Sequence, residues 1–447
     1  MNAQVWCASA LVDGRPQRGV LIGIVDGRFA TITAHAEPGT ATRLSGFTMP
    51  GLANAHSHAF HRALRSRTQA DRGTFWTWRD LMYRAAQRLE PDSYRRLARA
   101  VFAEMALAGV SCVGEFHYLH HRVDGGQYAD PNEMGLALLA AADDVGIRIT
   151  LLDTLYLYGG FGADGYNEPF GTQQRFSDAT ASRWADRVDR LASGDTHRIG
   201  AAIHSVRAVD PRSMQLVADW AATHQAPLHA HVSEQIAENA ACMAHHRSSP
   251  IAVLAAAGAL TDRFSAVHAT HLSGHDIERL AAAASTVVMC PTTERDLGDG
   301  IGPTSRFADA GIKMSLGSDS HAVIDLFEEA RAVELDERLR SNERGVHAAS
   351  DLLDMATFNG HRSLGWNDAG AIIVGNRADL VTIRLDSVRT AGTTTKGAVE
   401  TAVFAGTAAD VTDVHVDGRH IVAEGRHSTV DVAGELDATI RELMDDA

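Results

Sequence analysis

Apolar residues recur along this chain in short runs bounded by turn residues, and the runs fall into two groups. Near the N-terminus, Val20-Leu21-Ile22-Gly23-Ile24-Val25 meets Asp26-Gly27, a pair that favours a two-residue hairpin turn. The C-terminal region has the same texture, in Ala371-Ile372-Ile373-Val374, in Ala378 to Ile383, and in Val414-His415-Val416 before Asp417-Gly418. These read as short strands. Chain termini often lie close together, so both ends are expected to pair into one small β domain.

Between the ends, apolar runs alternate with segments of helical period. Eight runs stand out, at 48–56, 110–117, 147–157, 198–206, 226–232, 264–269, 285–290 and 311–317. Ser93–Ala108 and Pro211–His224 are examples of the helical segments between them. Eight strand–helix units predict an α/β fold, a (β/α)8 TIM-like barrel, with a small β-sandwich domain built from both termini. The predicted division is 1–49 plus 368–447 for the β domain and 50–367 for the barrel. A doubly wound open sheet is the alternative. Ligand-type side chains decide between the two, because they cluster at the C-terminal ends of runs one, five, six and eight. A barrel gathers those ends on one face, whereas an open sheet scatters them.

The first such cluster is His56-Ser57-His58. Side chains two apart on a strand point the same way, so both imidazoles can grip one metal ion. The others are His229-Ala230-His231-Val232-Ser233-Glu234, Val267-His268-Ala269-Thr270-His271 and Ser315-Leu316-Gly317-Ser318-Asp319-Ser320. Together they predict a ligand set of His56, His58, His231 and Asp319 for a divalent cation, zinc first and iron as the alternative. His229 competes with His231, but lies one strand step below the barrel mouth and reads as an interior residue. His231 is preferred because Glu234 follows three residues later, within reach of the metal's water. His268 ends its run while His271 is already in the loop, so His268 is taken as the functional one. The expected catalytic set is Glu234, His268 and Asp319. The metal would activate water, Asp319 take its proton, Glu234 protonate a leaving nitrogen and His268 polarise the carbon under attack. The connection 59–92 is long and carries Gly73-Thr74-Phe75-Trp76-Thr77-Trp78-Arg79-Asp80-Leu81-Met82-Tyr83. It reads as an aromatic cover over the mouth, as a functional loop bringing Arg79 inward, or as both.

Composition narrows the class. The 447 residues carry a net charge of −15, which argues against nucleic acid and leaves an anionic substrate dependent on local arginines. Cys7, Cys112, Cys242 and Cys290 are far apart with no C-x-x-C pair, so neither a zinc ribbon nor a disulfide framework is expected. No run of about 18 apolar residues exists and Met1–Ala10 is too short for a signal sequence. The expectation is a cytoplasmic homodimer acting on a small anionic substrate, with no nucleic-acid or membrane partner.

These motifs resemble the amidohydrolase superfamily in its deaminase branch. The likeness rests on H-x-H after Pro50-Gly51, His231-x-x-Glu234, His268, Asp319 and the tail Asn376-Arg377-Ala378-Asp379-Leu380. Within the branch, His56-Ser57-His58-Ala59-Phe60, Phe75 to Tyr83, His117-Tyr118 and His204-Ser205-Val206-Arg207-Ala208-Val209 look like the formimidoylglutamate deiminases of histidine degradation. The resemblance implies that Arg79, Tyr118, His204 and Arg207 hold the substrate. It also implies hydrolysis of N-formimidoyl-L-glutamate to N-formyl-L-glutamate and ammonia, and two arginines suit two carboxylates. Position 61 departs from the pattern: His61 stands where a substrate-bonding glutamine is expected, and a histidine can also donate there. Binuclear relatives bridge their metals with a carboxylated lysine. The two lysines here, Lys313 and Lys396, lie in the wrong segments, so one metal per chain is expected. The alternatives are a deaminase of a heterocycle such as guanine, whose pocket needs no arginine pair, and a catalytically inactive barrel that serves as a binding protein.

Overall fold

The computed structural model describes residues 2–69, 75–162 and 165–445. Eight strands run parallel: β1 (Leu52–Ser57), β2 (Val110–His117), β3 (Arg148–Leu155), β4 (His197–Ile203), β5 (Leu228–Val232), β6 (Phe264–His268), β7 (Thr286–Met289) and β8 (Lys313–Leu316). Each is hydrogen-bonded to the next. The ring closes just past β8, where the Asp319 N–H donates to His56 O at 3.0 Å and the His58 N–H donates to Asp319 O at 3.2 Å. β1, β2, β3, β5 and β6 are buried along their whole length. Such strands read as unbroken apolar runs because one face meets the barrel interior and the other meets helices.

Helices follow where sequence period and caps place them. Pro91–Leu107 succeeds the aromatic segment. Pro211–Thr223 starts at Asp210, whose carboxylate accepts from the N–H groups of Arg212 and Ser213, with Pro211 at the first helical position. That cap ends the segment carrying His204 and Arg207 and fixes its path.

Both chain ends share a second eight-stranded sheet, in the order Arg426–His427, Arg419–Ala423, Val411–Val416, Leu380–Ile383, Thr42–Pro50, Asn2–Val12, Arg15–Val25, Arg28–Thr33. The ends meet where Thr42–Pro50 pairs antiparallel with Leu380–Ile383. A separate apolar core of Val5, Cys7, Ile22, Phe29 and Leu380 supports this sheet. Asp26 and Gly27 adopt φ of 47° and 77°, the left-handed pair that a two-residue hairpin requires. We propose the partition 1–49 plus 368–447 against 50–367 on this basis, noting that helix Val432–Met444 lies against the barrel helix Pro91–Leu107 through Arg99–Glu435 and Arg96–Glu442 pairs.

Three segments depart from the sequence reading. The run 48–56 is two strands of different sheets, parted at Gly51. A Cβ there would lie 2.5 Å from Ser111 Oγ and 2.9 Å from Asp379 Cβ, so only glycine fits between the two layers. Ala371–Val374 is apolar but not a strand. It lies between Gly370 and Gly375, both left-handed, and exposes Ile373 and Val374. The connection after β1 is not an open loop: it holds a 3-10 turn, Ala59–Leu64, and a helix, Phe75–Arg88. Leu81, Met82, Ala85 and Ala86 recur at helical spacing and are buried. Gly73, Thr74 and the side chains of Phe75 and Trp76 lie outside the described residues. All four cysteines are unpaired and buried. Among the described residues no helix is long and apolar enough to cross a membrane.

One buried ion pair ties the barrel to the terminal sheet. Arg148, at the start of β3, donates from Nη1 to Asp379 Oδ1 at 2.9 Å and from Nη2 to Asp379 Oδ2, and its guanidinium lies 5.0 Å from the Trp366 ring centre. Burial alone would raise the Asp379 carboxyl; the Arg148 guanidinium outweighs it and holds it below the usual carboxylate range. Asp379→Asn should lower unfolding free energy by about 3 kcal/mol, since it leaves a buried guanidinium poorly paired. Denaturant titration checks this, and a loss under about 1 kcal/mol would make the pair a bystander. The carboxylate's contribution is complete above pH ~4 and disappears as acid titrates through the depressed folded value.

Candidate active site

His56 and His58 project from the end of β1 on one side, and Ser57 on the other. Ser57 Oγ donates to Glu115 Oε2 at 2.5 Å and the Ala59 N–H donates to Glu115 Oε1 at 2.6 Å. Glu115, buried in β2, therefore clamps the His-x-His segment from behind, and its burial pushes it up to about 8. The opposite side is clamped as well: Asn54 Nδ2 donates to Ser318 Oγ at 2.6 Å, and the Ser318 N–H returns a bond to Asn54 Oδ1 at 2.9 Å. Asp319 follows directly, with φ of 41°.

The structure brings His56, His58, His231 and Asp319 together, with one ligand atom of each inside a 4.8 Å group. His56 Nε2 and His58 Nε2 both lie 3.3 Å from Asp319 Oδ1, and His231 Nε2 lies 3.2 Å from His56 Nε2. Tautomers can be read from the far nitrogens. His58 Nδ1 faces Phe116 O at 3.0 Å and His231 Nδ1 faces His204 O at 2.9 Å. A carbonyl only accepts, so each Nδ1 carries the proton and each Nε2 presents a lone pair. Burial holds His56, His58 and His231 below the ordinary histidine value and so neutral. Three neutral imidazoles and a carboxylate converging this closely fit a divalent cation of the zinc type.

His229 stays below the mouth and bonds to Ser363 O at 3.0 Å, as an interior residue should. His271 faces Asp299 O at 2.7 Å, away from the group. His268 turns inward, with Nε2 lying 3.9 Å from Glu234 Oε1 and 3.8 Å from Asp319 Oδ2. Burial opposes a charge on His268, yet Glu234, Glu294 and Asp319 raise it to about 10. Ser233, His268, Ala269 and Asp319 all have left-handed φ, a strain of about 1 kcal/mol or more each, concentrated at the mouth.

One cavity joins these groups to the other expected residues. His61, Arg79, Tyr118, His204 and Arg207 line it together with His58, His231, Glu234, His268 and Asp319. His61 Nε2 lies 2.9 Å from Tyr118 Oη, so the two share a hydrogen bond on the wall. Arg207 Nε lies 4.0 Å from the buried Glu238. Sequence reasoning missed several members. Glu294 Oε1 lies 3.3 Å from His268 Nδ1 and accepts from the Cys290 N–H at 2.9 Å. Tyr156 directly follows β3, where the strand-end rule could have found it. Gln173, from the turn Gly171–Arg175, had no sequence signal.

A second buried group, His117, His120 and Asp153, also has ligand-like spacing. It does not suit a cation. Both Asp153 oxygens accept from Arg187 at 2.8 Å, and Trp184 Nε1 donates to the same carboxylate at 3.0 Å.

The Amidohydrolase family matches residues 47–421 of the chain. Over 435 residues the chain is 36% identical to a formimidoylglutamate deiminase of Pseudomonas aeruginosa, covering 92% of this chain and 94% of that one. It is 28% identical over 349 residues to an 8-oxoguanine deaminase of the same organism, covering 77% and 76%. The crystal structure of an amidohydrolase from Brucella melitensis superposes with a TM-score of 0.91 at 32% identity, over 99% of this chain and 100% of that one.

The geometry separates the two β5 histidines experimentally. His231→Ala should weaken metal binding by more than the roughly 10- to 100-fold that loss of an outer hydrogen-bond partner costs, while His229→Gln keeps wild-type metal content. Elemental analysis of the purified variants reads both, and the reverse pattern would exchange the two assignments.

Proposed function

We propose, from the premise that this chain belongs to the amidohydrolase family, that it hydrolyses N-formimidoyl-L-glutamate to N-formyl-L-glutamate and ammonia. Family membership together with the deaminase relatives makes the chain a hydrolase acting on C–N bonds. The choice of substrate rests on Arg79 and Arg207, which line the same cavity as Glu234, His268 and Asp319. In a chain of net charge −15, two guanidiniums over a hydrolytic centre suit a small dicarboxylate. The formimidoylglutamate deiminase relative, aligned over nearly the whole chain, supports this choice.

In this reading His56, His58, His231 and Asp319 hold one divalent cation, zinc by donor type. Lys313 is exposed at the start of β8, at the far end from the mouth, and Lys396 lies in the turn Thr395–Gly397, so neither serves as a bridge to a second. When bound, the cation supplies Lewis acidity and a hydroxide source near neutral pH. Arg79 and Arg207 anchor the carboxylates, with His61, Tyr118 and His204 along the wall. Asp319 accepts the proton released as water oxygen bonds to the formimidoyl carbon. His268, protonated, steadies the charge that builds during this addition. Glu234 carries a proton to the terminal nitrogen as its bond to that carbon breaks and ammonia leaves. The product retains its substituted nitrogen as a formamide.

A heterocycle deaminase is the second reading, favoured by the 8-oxoguanine deaminase relative. Ammonia release from N-formimidoyl-L-glutamate against guanine and 8-oxoguanine decides between them, and faster turnover of either purine overturns the first. Glu234→Gln should retain fold and metal and lose about 10² to 10⁴ of turnover, the usual range for a general acid–base group. Near-wild-type turnover, or loss of metal, would remove the assigned role.

A further inference from the structure

Gln173 has a fixed orientation. The Phe170 N–H donates to its Oε1 at 3.1 Å, which identifies the oxygen end. Its Nε2 donates to Tyr83 Oη at 3.1 Å and to Tyr156 Oη at 3.0 Å. An amide nitrogen has two protons, and these two bonds use both. Each phenol oxygen therefore accepts from Gln173 and keeps its own O–H to donate elsewhere. Among the described residues, neither O–H has a further hydrogen-bond partner.

Both phenols line the cavity beside the two arginines. The Arg79 guanidinium lies 5.5 Å from the Tyr83 ring centre, and the Tyr156 ring lies 4.7 Å from that of His204. Phe176 packs on both tyrosines, with ring centres 6.2 Å and 5.5 Å away, and limits their tilt. Burial raises both phenols above their ordinary value, so both are protonated at neutral pH. Two preset O–H donors next to guanidiniums, on a chain of net negative charge, match a planar anion with two acceptor oxygens.

We propose that Tyr83 and Tyr156 form a donor pair for one substrate carboxylate, with Gln173 as the positioning residue that turns both protons toward the ligand. The proposal rests on the dicarboxylate reading above and deepens it. It also explains what Gln173 does without touching a reacting atom. A residue accepting hydrogen bonds in its place would draw both phenol protons away from the cavity and leave lone pairs facing the anion.

Metal-loaded wild type, Tyr83→Phe, Tyr156→Phe and the isosteric Gln173→Glu test this by calorimetric binding of glutarate and by steady-state kinetics on N-formimidoyl-L-glutamate. Each phenylalanine variant should weaken glutarate and raise KM roughly tenfold, with kcat within about threefold and metal content unchanged, as expected for loss of one hydrogen bond to a charged group. Gln173→Glu should weaken both more than either phenylalanine variant. Wild-type glutarate affinity and KM in the phenylalanine variants would overturn the donor pair and leave the proposed reaction standing. If wild type binds glutarate through the tyrosines but does not turn over the formimidoyl substrate, the reaction is wrong and the donor pair stands. A wild type that binds no dicarboxylate overturns the pair.

Discussion

Lone pairs facing one another inside a protein are the constraint to which this structure is built. His58 and His231 each direct an Nδ1 proton to a backbone carbonyl, which obliges both Nε2 atoms to face the Asp319 carboxylate and His56. His58 Nε2 and Asp319 Oδ1, two acceptors 3.3 Å apart, repel, and burial deepens the repulsion because little water screens it. A cation between them would replace that repulsion by attraction to a shared charge. The surrounding bonds resist the drift apart that would otherwise relieve the strain: Glu115 clamps Ser57 and Ala59, Asn54 clamps Ser318, and Asp319 is held through its own backbone to both flanks of the His-x-His segment.

Fold and site are thus the same object at one point. The hydrogen bonds that close the barrel between β1 and the segment after β8 belong to His56, His58 and Asp319 themselves. Closing the ring and gathering the His/Asp group are one event. The left-handed backbones of Ser233, His268, Ala269 and Asp319 carry the matching cost, since regular strands would aim those side chains along the wall rather than across the mouth. Placing these residues at the ends of β5 and β6 and just past β8 leaves the strands below regular and tightly packed.

What the sequence disclosed follows from where information is local. Barrel strands buried on both faces leave unbroken apolar runs, so all eight were visible, and the histidines and aspartate that converge at strand ends were visible with them. His231 was separable from His229 because one strand step decides depth in a barrel. The run 48–56 misled because its apolar character continues through Gly51 while the chain passes from one sheet to the other. Ala371–Val374 misled because flanking left-handed glycines override an apolar stretch. Glu115, Glu294 and Gln173 were illegible for a different reason: each meets the site through a partner outside its own segment, Ser57, His268 and Tyr83 respectively, and a carboxylate or amide in one dimension gives no sign of what it will meet. Gln173 bonds to residues of the aromatic helix and of the β3 end, which only the folded chain brings to it.

The sheet built from both termini sets an order on biosynthesis. Thr48 and Thr382 share a hydrogen bond across 334 positions. At about 5–20 residues per second, that separation is tens of seconds on the ribosome. Strand Thr42–Pro50 finds Asn2–Val12 on one side early, but its other edge has no partner until Leu380–Ile383 emerges. The barrel must therefore form beside an open strand edge, which is a template for pairing with a neighbouring nascent chain. A ribosome that stalls before Leu380–Ile383 releases a product whose barrel strands are all present and whose Thr42–Pro50 edge is bare. Quality control has more to fear from that nearly complete chain than from a short fragment.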